Sequence, residues 1–361
     1  MRLTRLREKL AQKKLDGLLV TQPQNIRYLS GFTSPDASLI VTATEALIAT
    51  DFRYFVQAAE QCPAWELVPL KDKPEETLKA RFTALAEQGL RRLGYEKTHL
   101  TVDRYHRLRS KVLPSGVHFA ATQGMVEELR MVKEPDELAT IRRAVLLGDA
   151  AYTAIAPRVQ AGMTERAVAW ELESWARTHG AQKISFDFIV AAGPNAAKPH
   201  AEPGDRPIQA GEPVTIDMGV IVDGYCSDLT RTFCLGEPTD KFREVWHIVR
   251  EAQEKAEAGI RAGMIGKDAD ALARDVIVAA GYGENFGHGL GHGVGLAVHE
   301  LPGASKLYKK PFPANSVITI EPGIYIPDWG GVRLEDMVLV RPGGVEVLTT
   351  APKTLTNQIG K

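Results

Sequence analysis

Residues 214–233, VTIDMGVIVDGYCSDLTRTF, predict a β-hairpin in the second half of the chain. The stretch consists of two runs rich in β-branched residues, which favour strands. Asp223-Gly224 joins the runs, and this dipeptide is the strongest short-range signal for a two-residue hairpin turn. We therefore expect two antiparallel strands here.

The turn fixes which residues face each other across this hairpin. A two-residue turn places Val222 opposite Tyr225, and counting back places Gly219 opposite Asp228. Opposed residues share a face of the sheet, as do residues two apart on one strand. Asp217 and Asp228 therefore point the same way as diagonal neighbours, with Cβ atoms roughly 7 Å apart.

Two carboxylates at this separation need a positive partner. They repel each other and raise one another's pKa unless a cation lies between them. A hard or borderline divalent metal ion is the usual solution. Two alternatives stay open on the hairpin alone: both aspartates are solvated at a sheet edge, or one of them pairs with Arg231.

Length and composition set broad limits on the kind of protein. The chain has 361 residues, enough for two domains with separate cores. Its formal net charge of -1 argues against a nucleic-acid or anionic-membrane partner recruited by bulk charge. No apolar run approaches the length of a membrane span, and residues 1–17 read as an amphipathic helix without an apolar signal core.

The cysteines indicate a reducing compartment. Cys62, Cys226 and Cys234 form neither a CxxC pair nor an even set for disulfides. This usage fits the cytoplasm, with the thiols packed as small hydrophobic groups. The cysteines themselves give no reason to propose zinc.

The first part of the chain predicts an α/β domain with mixed strands. The expected elements include a helix over 3–15, a turn at 23–25, helices over 53–61 and 75–93, and a strand over 99–103. A glycine-rich phosphate loop is absent from this sequence, and we assign structural roles to its scattered histidines, His99, His106 and His118. A charged segment, 125–135, leads into a long helix that starts at Pro135. We place the domain boundary there, giving domains 1–127 and 128–361.

An internal repeat organises the second domain. Ala161-Gly162-Met163 recurs as Ala262-Gly263-Met264. In each copy a long helix precedes the tripeptide (136–158 and 240–261), and a second helix follows it (164–179 and 268–280). Strands with acidic residues come next. This order predicts a duplicated unit with pseudo-twofold symmetry, in which two acidic strand pairs face each other.

The second copy supplies three motifs. They are Gly287–Gly295 (GHGLGHGVG) followed by LAVHE, Val317–Tyr325 (VITIEPGIY) and Val332–Val340 (VRLEDMVLV). Glu321 and Glu335 stand in apolar strands, where a carboxylate is rarely buried without a partner. For either glutamate alone, an ion pair is an open alternative, with Arg333 available on the same face two residues from Glu335.

Four carboxylates on apolar strands exceed what the nearby arginines can neutralise. The four are Asp217, Asp228, Glu321 and Glu335. Two divalent cations about 3.5–4 Å apart, sharing carboxylates and a bridging hydroxide, solve this problem. An oxygen-rich ligand set with one imidazole suits Mn²⁺ or Co²⁺, with Zn²⁺ and Fe²⁺ as alternatives. The residues therefore predict a two-metal hydrolase without naming its substrate.

His288 and His292 have the HxxxH spacing of a zinc-binding helix. Four glycines between 287 and 293 make a helix costly there, and the glutamate of HExxH is absent. We expect a loop that brings the backbone close to a ligand and supplies one imidazole to the metal.

The motifs resemble those of the pita-bread-fold metallopeptidases: methionine aminopeptidase, aminopeptidase P, prolidase and their metal-free relative creatinase. DMG…DGYCSDLTRTF, GHGLGHGVGLAVHE, ITIEPGIY and GVRLEDMVLV occur in the order of that family. The first domain looks like the creatinase/prolidase N-terminal domain. The resemblance implies an α+β pita-bread catalytic domain, with its internal repeat, preceded by an α/β domain.

The resemblance also implies a role for each site residue. The five metal ligands would be Asp217, Asp228, His292, Glu321 and Glu335, with Asp228 and Glu335 bridging two cations. Glu321 would also act as general base and proton shuttle. His299 would stabilise the reacting carbonyl, and His200 would bind substrate beside it. His288 would line the proline side of the pocket, while Arg333 would contact the substrate region and hold the ligands in place.

Within the family, the sequence resembles the Xaa-Pro peptidases most. Creatinase lacks the metal ligands, and methionine aminopeptidase normally lacks the first domain. Prolidase and aminopeptidase P both stay open, because Gly303 stands where some prolidases carry an arginine that grips the carboxylate of a dipeptide. Arg53, or another basic residue from the first domain or a partner subunit, is a candidate replacement.

The family implies further expectations. They are manganese as the metal, proline-containing peptides as substrates, a homodimer, and no nucleic-acid or membrane partner. Two other functions stay open: a non-enzymatic binding scaffold of the same fold, and a metal-dependent hydrolase of an amide without proline.

Overall fold

The computed structural model describes residues 1–358 and divides into two compact units. The first unit is Met1–Arg130, and the second begins at Met131. The domain boundary predicted after residue 127 falls inside the last helix of the first unit, Glu127–Arg130, and stays a prediction.

The first unit alternates helices and strands around one six-stranded sheet. Its elements are α1 (Arg2–Gln12), β1 (Gly17–Val20), α2 (Pro23–Ser30), β2 (Ala37–Thr42), β3 (Ala46–Asp51), α3 (Phe55–Gln61), β4 (Glu66–Leu70), α4 (Pro74–Glu87), β5 (Arg92–Glu96), α5 (Val102–Arg107), β6 (His118–Thr122) and α6 (Glu127–Arg130). The strand order is β4-β3-β2-β1-β5-β6. The sheet is mixed as predicted, since β1 runs antiparallel to β2 and parallel to β5.

The turn predicted at 23–25 is the start of a helix. Pro23 occupies the first position of α2, where its missing N–H costs nothing. Gly31 ends α2 in the left-handed conformation, and its N–H donates to the carbonyl of Arg27. A proline read as a turn residue was therefore a helix N-terminus.

The strand predicted over 99–103 was also wrong. The side chain of Thr101 accepts a hydrogen bond from the N–H of Arg104 and caps α5, so Val102 begins a helix. The strand lies earlier, at Arg92–Glu96, and overlaps the last two residues of the helix predicted over 75–93. That helix ends at Glu87.

The second unit contains two pairs of helices and four small sheets. Its elements are α7 (Pro135–Ile155), α8 (Glu165–Thr178), β7 (Lys183–Ile184), β8 (Ile189–Ala192), β9 (Pro213–Met218), β10 (Val220–Val222), β11 (Tyr225–Cys226), β12 (Leu229–Cys234), α9 (Asp240–Gly259), α10 (Gly266–Ala279), β13 (Gly291–Gly293), β14 (Glu300–Ala304), β15 (Val317–Ile320), β16 (Gly323–Ile326), β17 (Gly330–Arg333), β18 (Asp336–Arg341) and β19 (Gly344–Val347). The sheets have the orders β11-β10-β7, β12-β9-β8, β14-β13-β15-β18-β19 and β16-β17.

The internal repeat is visible in matched hydrogen bonds. Gly162 and Gly263 both have a positive φ, 92° and 87°. The N–H of Gly162 donates to the carbonyl of Ile208, and the N–H of Gly263 donates to the carbonyl of Phe312. Each half also has its own buried core, one around α7 and α8 and the other around α9 and α10. The two halves are therefore built alike.

The hairpin has the predicted register but is split between two sheets. Val222 pairs with Tyr225, and Asp217 pairs with Thr230, so the count from the turn holds along both arms. Each arm is interrupted between these pairs, at Gly219 on one side. A Cβ at that position would clash with the carbonyl oxygen of the opposite arm, so only glycine permits this approach.

The acidic strands of the two halves meet as the repeat predicts. The N–H of Glu335 donates to the carbonyl of Thr230 over 3.0 Å. The hydroxyl of Thr232 donates to the carbonyl of Arg333 over 3.0 Å. These two hydrogen bonds hold the segment before β18 alongside β12, next to Asp228.

Among the described residues, the structure has no helix both long enough and apolar enough to cross a membrane.

Candidate active site

A cavity of about 530 Å³ lies in the second unit. Each side chain that the sequence assigns to the site lines it: His200, Asp217, Asp228, His288, His292, His299, Glu321, Arg333 and Glu335. The cavity is also lined by Phe186–Ile189, Pro199–Pro203 and Ser305. The cavity is large enough for a small ligand.

The acidic residues sit where strands begin or end. Asp217 lies near the end of β9, and Asp228 directly precedes β12. Glu321 directly follows β15, and Glu335 directly precedes β18. At Asp228, Glu321 and Glu335 the backbone leaves the ladder, whereas Asp217 is still paired with Thr230 and Ile189. All four carboxylates line the cavity, while their strands stay anchored in a core.

Three of the predicted ligands converge most closely. Asp228, His292 and Glu335 present ligand atoms within 4.8 Å of one another. The Nε2 atom of His292 is 3.7 Å from Oδ2 of Asp228 and 3.3 Å from Oε1 of Glu321. Asp217 lies outside this group, because its Oδ2 accepts a hydrogen bond of 2.6 Å from Arg333.

Burial makes the full charge of this cluster unfavourable without a cation. The pKa of Asp228 lies well above its usual range, because the carboxyl is buried and faces Glu335 and Asp217. Burial, followed by the charges of Glu321 and Asp217, raises the pKa of Glu335 as well. Burial also raises the pKa of Glu321. A divalent cation would restore the charged forms.

The imidazole of His292 is held in the tautomer that a metal ligand requires. Its Nδ1 lies 3.1 Å from the carbonyl oxygen of Gly293, which can only accept, so Nδ1 carries the proton. Burial lowers the pKa of His292 and favours the neutral ring. The lone pair on Nε2 therefore faces Asp228 and Glu321, an arrangement typical of metal-bound histidines.

Asp217 carries a second indication of a missing partner. Its Oδ1 is buried and has no hydrogen-bond partner within residues 1–358. Such an atom costs free energy unless something binds it. Together with the converging donors, this orphaned oxygen shows that the residues fit an oxygen-rich divalent-metal site.

Arg333 connects the ligands instead of pairing with Glu335. Its Nη2 donates to Asp217, its Nη1 donates to the hydroxyl of Tyr325 over 2.8 Å, and its Nε donates to the hydroxyl of Thr230 over 3.1 Å. The hydroxyl of Thr230 donates in turn to Oε2 of Glu335 over 2.6 Å. The alternative ion pair between Arg333 and Glu335 is therefore wrong.

Arg231 is likewise not a partner of either hairpin aspartate. Its Nη2 donates to Oδ1 of Asp336 over 2.7 Å, and both groups are buried. The alternative in which Arg231 neutralises Asp217 or Asp228 is wrong. Lys353 also pairs with Asp336, so the strand after Glu335 is anchored by two cations.

The other histidines line the cavity around this cluster. The ring of His299 lies edge-on to that of His292, with centroids 4.2 Å apart. Burial lowers the pKa of His299, and the neighbouring His292 and His200 lower it further. His288 places Nε2 2.8 Å from the hydroxyl of Tyr325 and Nδ1 2.8 Å from the carbonyl oxygen of Gly289.

The HxxxH segment is a loop and a short strand, as predicted. β13 covers Gly291–Gly293 and carries His292. A Cβ at Gly291 would clash with the carbonyl oxygen of Thr319 in the neighbouring strand, so the strands approach only because this residue is glycine.

Sequence reasoning missed Thr230 and Tyr325. Thr230 lies two residues after Asp228 and directly opposite Asp217, so the register already placed its hydroxyl on the acidic face. Tyr325 had no comparable signal, because its contacts with His288 and Arg333 depend on how β16 packs in three dimensions.

The fold and the cavity together define a metal-dependent hydrolase made of two similar halves. The chain belongs to metallopeptidase family M24, whose model matches residues 139–342. A second model, the creatinase/prolidase N-terminal domain, matches residues 2–132. The second unit thus has the pita-bread fold, and the protein is a metallopeptidase, which argues against the non-enzymatic scaffold.

Relatives cover the chain almost completely. An uncharacterized peptidase of Bacillus subtilis (strain 168), YqhT, is 38% identical over 98% of this chain and 99% of its own length. Among solved structures, an Xaa-Pro dipeptidase from Bacillus anthracis is 39% identical, with a TM-score of 0.94 and 98% of each chain covered. An X-Pro aminopeptidase from Thermotoga maritima MSB8 is 34% identical, with a TM-score of 0.89 and 99% of each chain covered.

Proposed function

We propose that the protein is a dinuclear-metal Xaa-Pro peptidase, which hydrolyses the bond between an N-terminal residue and a following proline. The observation that carries this proposal is the buried group of Asp228, His292 and Glu335 beside the orphaned oxygen of Asp217. Two similar structures, those of an Xaa-Pro dipeptidase and an X-Pro aminopeptidase, support the choice of proline.

The proposed ligands divide into shared and single donors. Asp228 and Glu335 would be shared by two cations, Asp217 would complete the ligands of one, and His292 with Glu321 would complete those of the other. Manganese is the metal we propose, because one imidazole among carboxylates suits it. Divalent cations held there would acidify a water molecule and polarise the scissile carbonyl.

Glu321 is the proposed general base. Its raised pKa brings it toward the range in which a carboxyl group can both accept and release a proton. The carboxylate takes a proton from the attacking water and delivers it to the proline nitrogen when the C–N bond breaks. The hydroxyl of Thr319 donates to Oε1 of Glu321 over 3.2 Å and orients it.

His299 and His200 are the proposed donors to the substrate carbonyl. Both line the cavity beside the ligand group. A neutral imidazole N–H aimed at the carbonyl oxygen stabilises the negative charge that develops there. His288, held by Tyr325, forms the wall that we assign to the proline ring. Arg333 acts indirectly, through its hydrogen bonds to Asp217 and Thr230.

The preferred substrate length depends on whether the protein offers a cation to the C-terminal carboxylate of a dipeptide. Gly303 lies on β14, and a Cβ there would lie 3.4 Å from the ring of Tyr308. A dipeptide exposes a carboxylate at this end, which needs a cation, whereas a longer peptide continues outward. Both substrate classes fall within the proposal, as do a homodimer and a cytoplasmic location.

A paired assay tests the function. The Mn²⁺-loaded protein is incubated with Ala-Pro, with Ala-Pro-Ala-Ala and with Ala-Ala-Ala-Ala, and each reaction is repeated with EDTA. We expect EDTA-sensitive cleavage before proline, at least about tenfold faster than before alanine. Hydrolysis of Ala-Pro alone identifies a dipeptidase, and hydrolysis of the tetrapeptide identifies an aminopeptidase. Equal rates before alanine and proline would support an amidohydrolase without proline specificity, and no cleavage would refute the proposal.

A further inference from the structure

Lys133 and Glu300 form a buried ion pair beside the cavity. The Nζ of Lys133 is 2.6 Å from Oε1 of Glu300, and the two side chains are 1% and 5% exposed. Lys133 precedes α7, and its backbone N–H donates to the carbonyl of Asn315 over 2.9 Å. The lysine is therefore fixed at both its backbone and its ammonium group.

Glu300 closes the loop that carries His299. The loop, residues 294–299, ends directly before Glu300, the first residue of β14. The Oε2 atom of Glu300 accepts a hydrogen bond from the N–H of Ala297 over 3.4 Å. A Cβ at Gly295 would clash with Oε1 of Glu300, so the carboxylate lies directly against the loop backbone.

The loop is also held by buried side chains, Val294 and Leu296, and by backbone hydrogen bonds. The N–H of Val294 donates to the carbonyl of Val317. The N–H of Gly295 donates to the carbonyl of Ala297, and the carbonyl of Gly295 accepts from the N–H of Cys226. The Glu300 carboxylate thus lies against the backbone of the loop, and Lys133 forms an ion pair with this carboxylate.

Stability alone is a poor explanation for this arrangement. Burying two charges costs several kcal/mol of desolvation for each ion, and apolar side chains of similar volume often serve stability equally well. An ion pair fixes a direction, which a hydrophobic contact does not. His299 is the last residue of the loop, and the closure of the loop depends on the direction of the Glu300 side chain.

We propose that Lys133 is a positioning residue: through Glu300 it holds the 294–299 loop and so sets the place of His299 in the cavity. This proposal rests on the proposed function, because that function assigns His299 its role. Lys133 itself does not line the cavity and makes no contact with the predicted ligands among the described residues.

Two variants test the ion pair, and a third controls for the loss of a lysine. Lys133→Met removes the cation with little change of volume, and Glu300→Gln removes the charge but retains an oxygen that can accept from Ala297. Lys9→Met breaks an ion pair of similar length in the first unit, 2.7 Å from Glu128, and should leave kcat unchanged. We expect Lys133→Met and Glu300→Gln to lower kcat about tenfold, with KM and metal content retained.

The decisive measurement repeats Lys133→Met in a His299→Ala background. If Lys133 acts through His299, Lys133→Met changes kcat less than about twofold in the His299→Ala background. Equal effects in both backgrounds, or loss of metal from Lys133→Met, would overturn the proposal. If Lys133→Met does not fold, the combination Lys133→Met with Glu300→Gln, which removes both charges of this ion pair, takes its place.

Hydrogen exchange gives a readout that does not depend on activity. The backbone amides of residues 294–300 should exchange faster in Lys133→Met and Glu300→Gln than in the wild type, without metal and with it. Unchanged exchange in this segment would refute the anchoring even in an active enzyme. An inactive wild type with faster exchange in both variants would count against the proposed function and leave the anchoring supported.

Discussion

Arg333 donates to one carboxylate oxygen of Asp217 over 2.6 Å, while the other oxygen of Asp217 is buried without a hydrogen-bond partner within residues 1–358. The two carboxylate oxygens of Asp217 therefore have different roles. Arg333 fixes the rotation of the carboxylate, and the orphaned oxygen is directed at whatever fills the cavity. The cost of leaving it unpaired, about 1–3 kcal/mol, is recovered only on binding.

We predict that Asp217→Asn removes one of the two cations that we propose for the site. The amide preserves the shape of the side chain but lacks the charge that both the cation and Arg333 require. Elemental analysis after dialysis against Mn²⁺ should find the ratio reduced from about two ions per chain to about one. Asp205→Asn, which breaks an exposed ion pair with Arg166, is the control and should retain the wild-type ratio. Two ions bound to Asp217→Asn would contradict the assignment.

Loss of a bridging carboxylate should abolish activity. Asp228→Asn and Glu335→Gln each remove a charge that we assign to both cations, so the rate on Xaa-Pro substrates should fall by about a hundredfold or more. Glu254→Gln, an exposed carboxylate on α9 paired with Arg250, serves as the matched control. The bridging roles are refuted if either site variant retains more than a few per cent of the wild-type rate.

Thr230 should control metal affinity without being a ligand. Thr230→Val keeps the volume but removes the hydroxyl that donates to Glu335 and accepts from Arg333. Substitutions of this kind typically weaken metal binding about 10–100-fold, and we expect calorimetry to find a loss of that size for Mn²⁺. Thr230→Ser keeps the hydroxyl and should bind nearly as well as the wild type. Equal affinity of the valine variant would show that the hydroxyl does not orient Glu335.

Glu257 should make stability depend on pH. Burial raises the pKa of Glu257 to about 7, with Lys353 opposing this and Asp336 adding to it. A raised carboxyl pKa means that the folded state binds the proton more tightly than the unfolded state. The stabilising contribution of Glu257 is therefore complete below its unfolded pKa near 4.5 and is lost as the pH rises through about 7.

Denaturant unfolding of wild type and Glu257→Gln checks this. The glutamine cannot ionise, so the variant should gain in relative stability between about pH 5 and about pH 8, by about 1–3 kcal/mol. Glu173→Gln, whose exposed carboxylate pairs with Arg177 on α8, should show no such change. A relative stability of Glu257→Gln that stays constant over this range would contradict the prediction.

The part of the site that is local in sequence was predictable. The register of residues 214–233 followed from one turn dipeptide, because side chains on paired strands alternate with period two. Even the location of Thr230 was implied by that register. Glu321 and Glu335, which line the cavity, were recognisable as candidates because carboxylates are rare inside apolar strands.

The remaining features depend on tertiary packing. Tyr325 reaches His288 and Arg333 only after β16 and β17 have paired, and Lys133 meets Glu300 from a distant part of the chain. In the first unit, Thr101 caps a helix, so Val102 and Asp103, the end of the predicted strand, became the first turn of α5, ahead of the short helix expected near 104–112. Local propensity was overridden there by a capping hydrogen bond.

The duplicated halves, each with its own core, contribute different proposed ligands to the site. Asp217 and Asp228 come from the first half, and His292, Glu321 and Glu335 come from the second. A cation that both halves bind would therefore be linked thermodynamically to their association. Its binding would add to the free energy that keeps the halves together, and this contribution would rise with the logarithm of metal concentration. Scarcity of metal would then favour separation of the halves, so resistance to proteolysis would report the metal supply of the cell.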